Sequence, residues 1–315
     1  MTARRATTTW AIGGPLGGVG AAVLIISGLA FFGEWWWVLD IVANFRMQLV
    51  VTGLGILLGG VALRTGGVAV IGLAVVAVNA VPIVPLYVGG GSAAESDLRI
   101  ATYNLRLGAI EDASAVVDWL EEVEADVVFL QEAGPVWTRI IEQSDVALEL
   151  IEPDLRPHEP FGTMALVPPG ARVRFVDVIE RSAPAVAIEV NDVTVTILGV
   201  HARSPYGGGP SERRDAELVS IGEWASDQGG AVVVAGDFNA TPFVWSFRRM
   251  LEIGGLHNSQ KGFGMQTSWP TTNLLMRIPI DHVVYAGDMT VVDRRVHGPL
   301  GSDHLPVVVD LAIGG

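Results

Sequence analysis

Gly236-Asp237-Phe238-Asn239-Ala240 directly follows Ala231-Val232-Val233-Val234-Ala235 in this chain. The apolar run reads as a buried strand, and the strand ends in Gly-Asp-x-Asn. A side-chain period of two points Asp237 and Asn239 the same way at the strand's mouth. There a carboxylate can take a proton from water while a carboxamide holds that water or its target. By itself the motif reads equally well as a turn after a strand. The other strand ends decide for chemistry.

Asn104 closes Leu98-Arg99-Ile100-Ala101-Thr102-Tyr103, an alternating strand, and Gln131-Glu132 closes Asp126-Val127-Val128-Phe129-Leu130. His201 follows Thr196-Ile197-Leu198-Gly199-Val200. Asp281-His282 opens Val283-Val284-Tyr285, and Ser302-Asp303-His304 precedes Leu305-Pro306-Val307. Any one of these has a plain structural explanation. Acid, amide and imidazole groups placed repeatedly at strand mouths point to one shared cleft. His158, His257 and His297 lack such a setting and read as surface residues.

Between these ends the elements alternate in type. Ala113 to Glu124 reads as an amphipathic helix and Ala125 to Leu130 as a buried strand. Val186 to Val190 and Val193 to Val200 read as two strands joined by an Asn191-Asp192 turn. Ser211 to Gln228 reads as a helix capped by Ser211, with Glu212 and Asp215 in its first turns. Ala231 to Ala235, Ile280 to Tyr285 and Leu305 to Leu311 are further strands.

Taken in this order, Asn104, Gln131-Glu132, Gly236-Asp237-Phe238-Asn239, Asp281-His282 and Ser302-Asp303-His304 resemble the endonuclease/exonuclease/phosphatase superfamily over about residues 97 to 313. Deoxyribonuclease I, abasic-site endonucleases, neutral sphingomyelinases and inositol-polyphosphate phosphatases belong to it. The resemblance implies an α/β fold, a four-layer sandwich of two mixed β-sheets flanked by helices. It implies a metal-dependent phosphoric ester hydrolase using Mg²⁺, or Mn²⁺ in its place. Glu132 would hold the metal, with Asn104 and Asp303 completing its shell directly or through water. Asp237 would orient or deprotonate the attacking water. Asn239 would bind that water or the phosphate. His304, kept charged and oriented by Asp281, would contact a phosphoryl oxygen, and His201 would approach from the other side. Together these groups would neutralise charge building up on phosphorus in an in-line displacement. Asn104, Asn239 and His201 would also contact substrate.

The departures from the family pattern matter as much. Abasic endonucleases carry an acid where this chain has Arg106. Deoxyribonuclease I has another arginine shortly after its Gln-Glu, where this chain reads Ala133-Gly134-Pro135. Residues 96 to 315 carry a net charge of -15, against +1 for the first 95. Such a domain repels a phosphate backbone. A nuclease is therefore disfavoured, and nucleic acid is not the expected partner. The absence of cysteine excludes disulfides, thiolate metal sites and catalytic thiols.

The first ninety residues are different in kind. Residues 11 to 33, about Met47 to Leu63 and about Gly67 to Val88 are long apolar segments, each read as a transmembrane helix. Pro82 and Pro85 should kink the last or end it early. The expected division is a membrane domain at 1–88, a flexible linker at 89–96 and a catalytic domain at 97–315. Arg4, Arg5 and Arg64 against Arg46, with Trp35-Trp36-Trp37 as an interfacial belt, orient the N-terminus inside. The expected location is the cell membrane, multi-pass, with the catalytic domain extracytoplasmic.

This layout resembles membrane-anchored bacterial members of the superfamily linked to teicoplanin resistance, thought to dephosphorylate polyprenyl carriers. The expected substrate is a membrane lipid or lipid-linked phosphate ester or diphosphate, and no protein partner is inferred. The alternative is a membrane-tethered phosphodiesterase of sphingomyelinase or nuclease type. Leu274, Leu275, Met276 and Ile278 read as a core edge in preference to a loop dipping into lipid. Trp245, Phe247 and Arg248-Arg249 read equally as a headgroup grip or as an ordinary amphipathic helix.

Overall fold

The computed structural model describes residues 14–91, 95–107, 110, 112–155, 161–180 and 182–314. Arg4, Arg5 and His158 fall outside the described residues. The chain divides into two compact units. One holds the described residues up to Pro85 with Phe243–Trp245, and the other holds the remainder from Leu86 on.

The first unit is helical: α1 (Pro15–Leu29), α2 (Trp37–Ala43), α3 (Arg46–Ala62) and α4 (Gly66–Ala80). Pro15 opens α1 at the position where a missing N–H costs nothing. The chain leaves α4 after Ala80, just before Pro82, as prolines there require. The helices are therefore shorter than the apolar segments that contain them. Among the described residues no single helix is long and apolar enough to cross a membrane. Only α2 and α3 pass on length and composition, as a pair bent by 72°. Three membrane spans, as expected from the sequence, thus become three apolar helices of 15, 17 and 15 residues.

In this unit many large apolar side chains are exposed, while several polar ones are buried along with Ile56, Val68 and Val75. Val19, Ile25, Leu58 and Leu73 are exposed, while Ser27, Asp40, Arg46 and Asn79 are buried. The Asn79 amide donates to the Ser27 hydroxyl at 2.8 Å. Arg46 donates to the Ser27 carbonyl at 2.9 Å and to Asn79 Oδ1 at 3.1 Å. Arg46, expected in an outside loop, is instead the first residue of α3 with its charge inside the bundle. Helices α3 and α4 approach through glycine: a Cβ on Gly72 would run into the Leu57 backbone.

The second unit is built on two six-stranded sheets. Its strands are β1 (Leu98–Asn104), β2 (Val127–Ala133), β3 (Glu149–Ile151), β4 (Gly162–Val167), β5 (Arg172–Val176) and β6 (Ala183–Val190). They continue with β7 (Val193–His201), β8 (Ala231–Asp237), β9 (His257–Asn258), β10 (Asp281–Ala286), β11 (Met289–Val296) and β12 (Val307–Ile313). The first sheet has the order β11-β12-β1-β2-β4-β3, and the second β5-β6-β7-β8-β10-β9. Both are mixed, with β1–β2 and β7–β8 as parallel pairs among antiparallel neighbours.

Alternation explains the layering. Leu98, Ile100, Val127 and Phe129 face the second sheet's Val195, Ile197 and Val233. Tyr103, Val128 and Leu130 turn the other way, onto Trp119 and Leu120 of α5 (Ser114–Glu122) and Trp137 of α6 (Pro135–Glu142). A strand buried on both faces loses the polar alternation of a half-exposed one. That is why β8 is apolar from Ala231 to Ala235. Two more helices, α7 (Gly208–Gln228) and α8 (Trp245–Gly254), are the remaining α-helices among the described residues. Two mixed sheets flanked by helices are the α/β sandwich the resemblance implied.

Some boundaries moved. Helix α7 starts at Gly208, and Ser211 lies inside it, donating its hydroxyl to the Pro205 carbonyl at 3.1 Å instead of capping. The second unit begins at Leu86, three residues before the expected linker. A Cβ on Gly90 would meet the Gly262 backbone, and one on Gly262 would run into the Gly89 carbonyl. The described part of the glycine run is thus seated on the second unit, where a flexible tether was expected.

Candidate active site

Sheet register builds half of the site. His201 pairs with Asp237 across parallel β7 and β8, and Asp237 pairs with Asp281 across antiparallel β8 and β10. Three titratable groups therefore form one row across three strands. Gly236 makes this possible. Its φ is 151°, and a Cβ there would overlap the Val200 carbonyl of the neighbouring strand.

The first sheet supplies its groups differently. Asn104 ends β1 opposite Gln131 of β2. Gln131 turns inward and bonds the Thr102 hydroxyl. Glu132 is re-aimed: its φ is 57°, at a register shift between Leu130 and Ala133. A left-handed residue on a bulge swings its side chain out of the strand's alternation. Asp303 and His304 stand in the segment just before β12. The Ser302 hydroxyl anchors that segment by donating to the Asn104 carbonyl at 2.7 Å.

These elements bring the expected residues together. The Asn104 amide donates to Glu132 at 3.1 Å and to Asp237 at 3.0 Å. His201 Nε2 lies 3.6 Å from Glu132 and 3.7 Å from Asp237. His304 Nε2 lies 3.8 Å from Asp237, and its Nδ1 is 3.0 Å from Asp281. The Asn239 main-chain N–H donates to Asp237 at 2.8 Å, and its amide donates to the Ala202 carbonyl at 2.9 Å. Asp303 stands slightly apart. It accepts from the Trp269 indole at 3.1 Å and faces Arg106 at 3.8 Å. Among the described residues it makes no hydrogen bond to Glu132 or Asn104.

Burial and crowding set the protonation states. Burial pushes the Asp237 carboxyl up, the charge of Asp281 adds to this, and it titrates at about 7. Burial alone would hold His304 neutral. The Asp281 charge and hydrogen bond override it, lifting His304 to about 9. At neutral pH His304 is an imidazolium clamped by Asp281, beside a carboxyl poised between its two forms.

The donors suit a hard divalent cation, which prefers carboxylate and water oxygens. Glu132 and Asp237 converge on one amide, and like charge beside Asp237 is what a cation relieves. Oxygen and nitrogen atoms of Asp237, Asp281 and His304 also lie within 4.8 Å of one another. A protonated His304 has no lone pair to give, so the carboxylates are the better donors.

Other residues behave otherwise than expected, or were not foreseen. His282, next to Asp281, is buried with Nε2 2.9 Å from the Ala240 carbonyl and packs on Phe238 and Phe247. Burial pushes it down to about 3, so it is a neutral core residue. Helix α8 is an ordinary amphipathic helix: Phe247 and Met250 are buried, and Arg249 pairs with Glu252 at 2.7 Å. Leu274, Leu275 and Met276 are exposed, against the expected core edge, and only Ile278 is buried. Trp269, Ser204 and Arg294 carried no sequence signal. Ser204 donates to Asn239 at 3.2 Å, and buried Arg294 donates to the Asp281 main-chain carbonyl at 3.3 Å.

The sequence profile described as the Endonuclease/Exonuclease/phosphatase family matches residues 101–304. A UPF0294 protein of Yersinia enterocolitica is 34% identical over 97 residues, which are 30% of this chain and 34% of that protein. The match thus spans about a third of that relative's length. Among solved structures, humanized TDP2 of D. rerio superposes with a TM-score of 0.57 at 16% identity, over 68% of this chain and 98% of the other. An endonuclease/exonuclease/phosphatase of Bacteroides vulgatus gives 0.56 at 14% identity, over 70% and 100%. One from Bacteroides thetaiotaomicron gives 0.55 at 15%, over 69% and 98%. At these identities the superpositions speak for the fold.

Proposed function

The chain belongs to the endonuclease/exonuclease/phosphatase family, a metal-dependent phosphoric ester hydrolase, and from that premise we propose that it is held at a membrane and hydrolyses a lipid-linked phosphate ester or diphosphate, such as a polyprenyl carrier. The observation that carries the lipid side is the helical unit's surface: many large apolar side chains face out, while Ser27, Arg46 and Asn79 are buried. Water drives the opposite arrangement, whereas lipid accepts it and favours close glycine contacts between helices. Arg46 is spent inside the bundle, and Arg64 is exposed in the turn after α3. With Arg4 and Arg5 inside as well, the catalytic unit lies on the outer face of the cytoplasmic membrane.

Glu132 would hold Mg²⁺, or Mn²⁺ in its place, which when bound would supply charge neutralisation to the phosphoryl group. Asn104 turns its amide nitrogen to two carboxylates, and its oxygen accepts the Arg106 N–H at 2.9 Å. It would therefore serve the metal best through water, as would Asp303 from its seat beside Trp269. Asp237, near 7, takes the proton from water that Asn239 helps to hold. The His304 imidazolium, oriented by Asp281, stabilises the developing charge from one side, and His201 does so from the other.

The test is a panel of polyprenyl diphosphate, phosphatidic acid, sphingomyelin and DNA, each assayed with Mg²⁺. Phosphate release from the lipid monoesters or diphosphates is expected. Cleavage confined to sphingomyelin or DNA would replace this reading with the tethered phosphodiesterase. Protease applied to intact spheroplasts should cut the catalytic unit free; protection until permeabilisation would invert the orientation.

A further inference from the structure

Three loops leave the catalytic end of the second unit with large apolar side chains in solvent. Leu107, 58% exposed, follows Arg106, which faces Asp303. Tyr206, 74% exposed, lies two residues past Ser204, which touches Asn239. Leu274 and Leu275 are 74% and 79% exposed, with Met276 beside them.

The 270s loop is built to hold that position. The Thr271 N–H donates to the Asp303 carbonyl at 2.8 Å. Asn273 Oδ1 accepts from the N–H groups of Leu275 and Met276 at 3.1 and 3.3 Å. Arg277 ties the loop's base, donating to the carbonyls of Pro270 and Thr271 at 3.1 and 2.9 Å. A loop so tied holds its leucines out instead of folding them in.

We propose that Leu274, Leu275 and Met276, with Leu107 and Tyr206 on the same rim, enter the headgroup–acyl boundary of an anionic phospholipid bilayer. The inference rests on the lipid-side reading above. Charge selects the occupant. Among the described residues Arg277 has no carboxylate partner, and Arg106 stands half exposed beside Leu107. The unit is otherwise strongly acidic. Approach by this rim therefore brings the guanidinium groups of Arg106 and Arg277 towards lipid phosphates, with the apolar tips beyond them. The cleft then opens onto the layer that holds its substrate.

The chain has no cysteine, so Leu275→Cys takes a single environment-sensitive fluorophore. In the full chain with phosphatidylglycerol/phosphatidylcholine vesicles, acyl-chain nitroxides should quench it strongly, and not a label at Asp192→Cys in the β6–β7 turn. The double variant Leu274→Asp/Leu275→Asp should lose roughly tenfold in hydrolysis of vesicle-borne lipid phosphate and keep its rate on a short, soluble phosphate ester. Absent quenching with an unchanged vesicle rate would overturn the rim while leaving the lipid substrate standing. A blue shift without quenching that grows with protein density would assign the rim to a second copy, which also overturns the proposal. If the wild type hydrolyses no lipid phosphate, the substrate reading fails, and the quenching alone decides the rim.

Discussion

The two sheets of the catalytic unit reach the same site by opposite means. The second sheet delivers His201, Asp237 and Asp281 by plain register, one residue on each of three adjacent strands. The first delivers Glu132 through a left-handed residue on a bulge, and Asp303 and His304 from the irregular segment before β12. Regular pairing fixes positions to within the spacing of the ladder and needs no further support. Irregular delivery needs anchors, here Ser302 on the Asn104 carbonyl and Trp269 on Asp303. The row carries Asp237, which burial and Asp281 raise, while the irregular side carries both the raised His304 and Glu132, the first candidate metal ligand.

The comparison breaks most sharply at Asp237. Asp237→Asn should lower turnover by on the order of 10³ with the fold intact, because the proton acceptor is lost and not the register. His304→Ala should cost on the order of 10², and the double variant less than the product, since both act on one transition state. Strictly multiplicative losses would show that row and irregular segment serve separate steps. Glu132→Gln should cost on the order of 10², and its remaining activity should need more Mg²⁺ than the wild type's. Full wild-type activity in EDTA would remove the metal from the scheme altogether.

That asymmetry also governs what could be read from residues alone. Strands β1, β2, β7, β8, β10 and β12 are buried runs with polar ends, and register follows once such strands are paired. The eight expected site residues accordingly meet in one cluster or at its edge. Strands β3, β4, β5 and β11 and helix α6 went unread: β3 and β5 are partly exposed, and α6 is only eight residues long. Ser204, Trp269 and Arg294 went unread, as did Ser302's anchoring role, because an anchor's role depends on what long-range folding places beside it. Exposure of Leu274 to Met276 could not be told from a core edge, since apolar composition is the same for both. In the helical unit, apolar length overstated helix length because Pro82 ends the run early and glycine-rich ends do not extend it.

Gly236 tests the regular half by structure instead of chemistry. Gly236→Ala forces a Cβ against the Val200 carbonyl at a φ of 151°. It should cost about 3 kcal/mol of stability, read from denaturant midpoints at constant slope. Activity should fall with it, since β7 and β8 must separate. A variant as stable as the wild type would mean that the row tolerates a wider strand spacing than the register implies.

The smallest effect is the pH dependence of stability in metal-free protein, and its sign follows from the two raised groups. Asp237 titrates at about 7 when folded, against about 4 in the unfolded chain. Between those values the folded state binds more protons, so stability falls as pH rises from about 4 to 7. His304 titrates at about 9 when folded, against about 6.5 unfolded. Its contribution is complete below about 6.5 and is lost as pH rises through 9. Other acids act in the opposite direction at low pH, so the informative quantity is the difference from Asp237→Asn, which has no carboxyl to ionise in the row. With EDTA present, wild type should lose at least about 1 kcal/mol relative to that variant between pH 4 and pH 7, on the order of one pKa unit's worth. Added Mg²⁺ should shrink the gap, because a bound cation favours the ionised carboxylate that burial and Asp281 oppose. A gap that stays constant across this range would mean that Asp237 is ionised throughout, and that burial and Asp281 do not raise its pKa.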